Sequence, residues 1–134
     1  MRVVFRGSVR VNLTEDQAKV RRAVENIFPT AHSRLIVDAT AWLRFEGEGL
    51  EAFTRMRSIL QQDRIRDAVR KELFRQAEDN HLTFYLNKQV AFMGHVSLCQ
   101  PRRESPLGPI EVEIECDDLE GFIQWLSPPS EARG

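Results

Sequence analysis

The chain has 134 residues, 42% of them hydrophobic and 29% charged, which suits one domain with a real core. Its formal net charge of -1 excludes a nucleic-acid binder that works by bulk positive charge, so any such role needs an asymmetric patch. No apolar run approaches the roughly 20 residues of a membrane span, and no signal-peptide core opens the chain. Cys99 and Cys116, without a CxxC, argue against a zinc site or a disulfide framework. The expectation is therefore a cytoplasmic protein, one domain over residues 1–134, with 128–134 as a disordered tail.

Charge is unevenly distributed. Residues 1–22 carry Arg2, Arg6, Arg10, Lys19, Arg21 and Arg22 against Glu15 and Asp16. Residues 110–120 carry Glu111, Glu113, Glu115, Asp117, Asp118 and Glu120 and no Lys or Arg.

In chain order, Val3, Phe5, Val9 and Val11 alternate with Arg2, Arg6, Arg10 and Asn12, the pattern of a strand with an apolar inner face and an arginine-bearing outer one. Thr14 to Gln17 reads as a capping box, with Thr14 at the N-cap and Gln17 at N3. The helix it starts buries Val20, Ala23, Val24, Ile27 and Phe28 and stops before Pro29, leaving Lys19 and Arg22 on a solvent-facing side. Leu35 to Val37 and Trp42 to Phe45 are short strands joined near Asp38-Ala39-Thr40, with Leu43 and Phe45 inward and Arg44 and Glu46 in water. Leu50 to about Glu78 is helical, either two helices with a break at Gln61-Gln62-Asp63 or one bent helix.

Leu82, Phe84 and Leu86 alternate with Thr83, Tyr85 and Asn87 as another half-buried strand. Asn87-Lys88-Gln89 then reads as a polar corner, after which Val90 to Val96 resumes as a further strand with Gly94 at a bulge. The prolines and glycine between Cys99 and Pro109 mark a loop that carries Arg102 and Arg103. Ile110, Val112 and Ile114 alternate with Glu111, Glu113 and Glu115 in a last strand. A helix capped by Asp117, with Glu120 at N3, follows and buries Leu119, Phe122, Ile123 and Leu126. The order β-α-β-β-α-(α)-β-β-β-α favours an α+β fold, a mostly antiparallel sheet with helices packed on one face.

Several stretches together resemble a known family: Thr14-Glu15-Asp16, Lys19-Val20, Asn26-Ile27-Phe28-Pro29, Leu86-Asn87-Lys88-Gln89, Ser105 to Ile110 and Trp125-Leu126. Their order and spacing are similar to archaeal uncharacterised protein family 0201, over nearly the whole chain. The resemblance implies a fold similar to ribosomal protein L5. It also implies kinship with a sister family of predicted exosome-linked RNA-binding proteins, and so RNA binding by analogy alone. It brings no catalytic residues. Val90, Met93 and Ser97 depart from the family pattern without affecting the fold.

Candidate sites follow from residue chemistry. Arg2, Arg6 and Arg10 share one strand face, and guanidinium groups suit phosphate because they are permanently charged and fork-shaped. Equally, the row can be spent on Glu111, Glu113 and Glu115 of a neighbouring strand, leaving no net patch. The strand order decides. Lys19 and Arg22 would extend the patch. Asn87, Lys88 and Gln89 offer one cation and two amides to a backbone or base edge, or close a turn through main-chain hydrogen bonds. Arg102 and Arg103 sit at a loop tip that reaches phosphates or is simply solvated. Tyr85 is positioned to stack on a base.

No HExxH, GxSxG, Walker loop or GxGxxG is present, so no catalytic residue, metal ligand or cofactor is assigned. The reading is a non-catalytic RNA-binding protein with weak, backbone-dominated contacts and no membrane partner. The alternative is a protein-interaction or assembly module, which a contiguous apolar outer patch including Trp42 or Trp125 would favour.

Overall fold

The computed structural model describes residues 1–101 and 107–130. Strand β1 (Val3–Val11) is central, followed by helix α1 (Gln17–Ile27) and the hairpin of β2 (His32–Val37) and β3 (Ala41–Glu48). A 3-10 turn at Leu50–Phe53 leads into α2 (Thr54–Gln62) and α3 (Arg66–Gln76). Then come β4 (His81–Leu86), a short α4 (Lys88–Phe92), β5 (Ile110–Cys116) and α5 (Leu119–Leu126). The five strands form one sheet in the order β2-β3-β1-β5-β4, every neighbouring pair antiparallel. The fold is α+β, with the helices on one face.

Periodicity explains the layers. The inward residues Val3, Phe5, Val9, Leu43, Phe45, Leu82, Phe84, Leu86, Ile110, Val112 and Ile114 are all buried, and so are Val20, Ala23, Val24, Ile27 and Phe28 of the α1 region. They join Leu119, Phe122, Ile123 and Leu126 of α5 in one cluster. Burying each large apolar side chain contributes about 1.5–3 kcal/mol. At the centre, Phe5 meets Phe28 and Phe53 with ring centroids 5.5 and 4.9 Å apart, and Phe53 meets Phe122 edge-on at 5.0 Å.

Room for this ring cluster comes from two glycines. Gly7 lies opposite Phe45, and Phe5 lies opposite Gly47, in the β1–β3 ladder. A Cβ on Gly7 would fall 2.1 Å from Phe45 Cζ, and one on Gly47 would fall 2.7 Å from the Phe5 ring. Each ring therefore lies over the bare backbone of the partner strand.

Three expectations are corrected. Val90 to Val96 is not a strand: Asn87 starts helix α4 by accepting from Val90 N at 3.0 Å, and Gly94 is a turn residue at φ +84°. Among the described residues the sheet consequently has five strands, with isolated Glu78–His81 and Leu86–Leu98 bridges beyond them. The N-cap of α1 is Asp16, whose carboxylate accepts from Ala18 N at 2.9 Å, because Thr14 and Glu15 lie in a turn closed by Glu15 N donating to Asn12 O. The cap of α5 is Asp118, not Asp117, whose carboxylate instead accepts from Arg2 N at 2.8 Å. Within the expected tail, Ser130 donates from its backbone N and its Oγ to the two carboxylate oxygens of Asp67 on α3. The remainder of the expected tail, 131–134, lies outside the described residues.

The break expected at Gln61-Gln62-Asp63 separates α2 from α3, with Arg64 in the left-handed region at φ +57°.

Candidate nucleic-acid interface

The sheet face away from the helices is uncovered by any described element, and its side chains fall into rows fixed by the strand register. One row runs His32, Glu46, Arg6, Glu113, Thr83. The next runs Arg34, Arg44, Ser8, Glu111, Tyr85, and the third runs Ile36, Trp42, Arg10. A fourth, at the opposite end, holds Glu48, Val4, Glu115 and His81.

The arginine row of β1 is thereby divided. Arg6 pairs with Glu113 at 3.3 Å, so at this position the cross-strand compensation is realised. Arg10 lies past the β1–β5 ladder, which ends at Val9–Ile110, and faces Trp42 on the other side. Arg2 is exposed at the strand start, its backbone N–H held by Asp117.

Two further arginines complete a basic quarter that the chain order does not advertise. Arg34 and Arg44 are directly opposite each other across the β2–β3 hairpin. Both are exposed, and neither they nor Arg10 make a side-chain ion pair or hydrogen bond with described residues. Cross-strand neighbours have Cβ atoms about 5 Å apart, and like charges there repel. Trp42 sits among them, two residues from Arg44 on the same face, with Nε1 donating to Thr40 Oγ1 at 2.9 Å. Arg44 was legible as water-facing; its partner was not. The signal was the turn at Asp38-Ala39-Thr40: a hairpin centred on Ala39 must place 34 opposite 44.

The other half of the face is acidic. Glu111, Glu113 and Glu115 line β5, and burial together with the neighbouring Glu113 pushes the Glu111 carboxyl up. Tyr85 faces this half, its phenol pushed up by burial and then by Glu111 and Glu113. A depression of about 470 Å³ spans the boundary, with Arg34 and Arg44 on one side and Glu111 and Glu113 on the other.

The polar corner 87–89 has a different use. Lys88 is 5% exposed, and its Nζ donates to Arg10 O at 2.8 Å, Leu107 O at 3.0 Å and both Glu15 oxygens at 2.9 and 3.1 Å. Asn12 donates to the same carboxylate from backbone and side chain, at 2.9 and 2.7 Å. Burial raises the Glu15 carboxyl, but the Asn12 and Lys88 hydrogen bonds outweigh it and leave it below its usual value. Burial likewise lowers Lys88, against the opposing pull of Glu15. Lys88 is an interior tie between β1, α4 and the chain before β5, out of reach of a nucleic acid. Asn87 is spent on its cap, while Gln89 is exposed.

Lys19 and Arg22 are exposed on α1, in the helical layer, and so do not share a face with Arg6 and Arg10. Lys19 lies 5.9 Å from the Phe92 ring centre. Trp125 is half-buried against the core under Arg57, whose Nε donates to Trp125 O, so it forms no patch with Trp42. Arg102 and Arg103 lie outside the described residues. Among the described residues no group of three or more His, Cys, Asp or Glu is placed to hold a metal ion, and no helix is long and apolar enough to cross a membrane.

Comparison with known proteins bears on the same stretch. A family model described as RNA binding matches residues 6–116. A UPF0201 protein of Metallosphaera sedula is 35% identical over 127 residues, 95% of this chain and 87% of that relative. One of Methanothermobacter thermautotrophicus is 38% identical over 118 residues, 88% and 86% of the two chains. The crystal structure of the Methanococcus jannaschii UPF0201 protein superposes with a TM-score of 0.81 at 29% identity, covering 98% of this chain and 96% of that one. The likeness thus runs through β1, the hairpin and β5, and by it the chain belongs to the UPF0201 family and to the family whose model is described as RNA binding.

Proposed function

We propose that this chain is a non-catalytic RNA-binding protein of the cytoplasm that holds the phosphate backbone on the basic quarter of its open sheet. One observation carries the reading: Arg34 and Arg44 stand opposite each other, with Arg10 in the next row, and no described carboxylate pairs with any of the three. A fold tolerates such a cluster at a small cost, and an incoming polyanion removes it. Phosphate contacts of this kind supply most of non-specific affinity and weaken steeply with salt. The description RNA binding on the matching family model supports the same partner. Arg6, already paired with Glu113, is left out of the contact set, and Lys88 is left out by burial.

The test is a titration of labelled RNA at several salt concentrations. Arg34→Gln with Arg44→Gln should reduce the log–log salt slope by about one unit per lost contact, whereas Arg6→Gln should leave it in place. No complex at low salt with the parent protein would remove this reading and leave the open face to a protein partner.

A further inference from the structure

The basic quarter does not occupy the face alone, and its boundary carries information about which RNA fits. Resting on the reading above, we infer that the site selects single-stranded RNA, with a base stacked on Trp42, phosphates on Arg10, Arg34 and Arg44, and the carboxylates of β5 excluding a duplex.

The geometry supplies three reasons. First, Arg34, Arg44 and Arg10 span only β2, β3 and β1 at the end of the face short of Glu46 and Glu48, and two strand spacings of about 4.8 Å make a strip about 10 Å across. One strand further on, Glu111 continues the Arg34–Arg44–Ser8 row, and Glu113 and Glu115 follow it along β5. A single backbone held at the Arg34–Arg44–Arg10 end of the strip need not cross that line. A duplex presents phosphates of two strands to the surface it rests on, contacted across its shallow minor groove. Seated on Arg34 and Arg44, it would lay its second row over Glu111, Glu113 and Glu115. Opposed like charges at an interface cost enough to reject a partner.

Second, Trp42 lies inside the strip, in a row with Ile36 and Arg10, so an aromatic plane and an apolar side chain stand beside the phosphate contacts. Its ring has no aromatic neighbour among the described residues, and its indole N–H is turned to Thr40. Stacking requires a base already out of a helix, which a single strand offers and a duplex does not. Third, the aromatic on the acidic side, Tyr85, stands opposite Glu111, where a base would bring its phosphate against carboxylates. Among the described residues of the face, Trp42 alone is thus placed for stacking.

The experiment compares a short labelled single-stranded RNA with its blunt-ended duplex at low salt, for the parent and two variants. In the parent, the single strand should bind at least about tenfold more tightly. Trp42→Ala should weaken the single strand by about tenfold, the loss expected of one stacked base, and leave the duplex nearly unchanged. Glu111→Gln with Glu115→Gln keeps the Arg6–Glu113 pair and should strengthen duplex binding by about tenfold, with the single strand moving much less. Equal affinity for both forms, or a duplex indifferent to the Glu111→Gln and Glu115→Gln changes, overturns the selection while leaving RNA binding intact. Absence of both complexes in the parent overturns the RNA reading itself.

Discussion

Lys88 and the Arg34–Arg44 pair are opposite answers to one problem, where to put positive charge in a small fold. Lys88 is buried and fully answered from within, by two carbonyls and a carboxylate. Arg34 and Arg44 are exposed, face each other, and have no answering acid among the described residues. The difference teaches that a conspicuous polar motif is not evidence of a site. Asn87-Lys88-Gln89 stands out in the sequence because it interrupts an apolar run, yet its lysine is internally satisfied. The arginines of the hairpin look ordinary and are left unsatisfied. A charge that the protein compensates is part of the scaffold; one that it leaves opposed to its like is open to a counter-charge from outside.

The comparison can be broken most forcefully at the buried tie. Lys88→Met should cost about 3–5 kcal/mol by stranding Glu15, and adding Glu15→Gln should recover part of that loss, a coupling that a double-mutant cycle in urea would read. Strictly additive losses would mean that Lys88 and Glu15 do not act together. Close behind, Phe5→Asp should cost roughly 3 kcal/mol or more because it buries an unpaired polar group. Its outward neighbour changed the same way, Arg6→Asp, should cost much less, and equal denaturation midpoints would refute the two-faced strand.

Acid should reach the tie as well. The Glu15 carboxyl sits below its usual 4.5 in the folded chain. Its contribution is therefore complete above pH 4.5 and is lost as the pH falls through the lower folded value. A melting series between pH 6 and 3 should show this limb in the parent and a shallower one in Glu15→Gln. The smallest effect belongs to the exposed pair: Arg34→Gln with Arg44→Gln should leave stability unchanged or raise it by less than about 1 kcal/mol. A clear loss on that substitution would mean that these arginines are scaffold too.

Much of the fold was legible because its elements bury one clean face. Val3, Phe5 and Val9, Leu82, Phe84 and Leu86, and Ile110, Val112 and Ile114 each display period two; Val20, Ala23, Val24 and Ile27 display the helical period. Helix α4 was not legible, since five residues are too few to establish a 3.6-residue period and Val90 and Phe92 favour strands. The cap of α1 was displaced because Glu15, which the capping box placed in the first helical turn, is committed to Lys88 and Asn12, a contact 73 residues away in sequence for Lys88. The candidate site was half legible. β1 exhibits its arginines directly, but which of them is compensated depends on strand order and register. Nothing in the sequence of β1 alone says that Arg6 meets Glu113 while Arg10 overshoots β5.

The reciprocal placement of Phe45 over Gly7 and Phe5 over Gly47 acts as an alignment key between β1 and β3. A slide of two residues would keep each side chain on its own face, but would drive Phe45 against the Cβ of Phe5 or Val9 instead of the bare backbone of Gly7. The correct setting is the one in which both rings drop into their slots, and it is also the one that brings Arg10 level with Trp42 and a row away from Arg44. The spacing of charge and aromatic plane on the open surface is thus gauged by a lock on the concealed one. An alanine at position 7, 2.1 Å from Phe45 Cζ, would detune a surface it never touches.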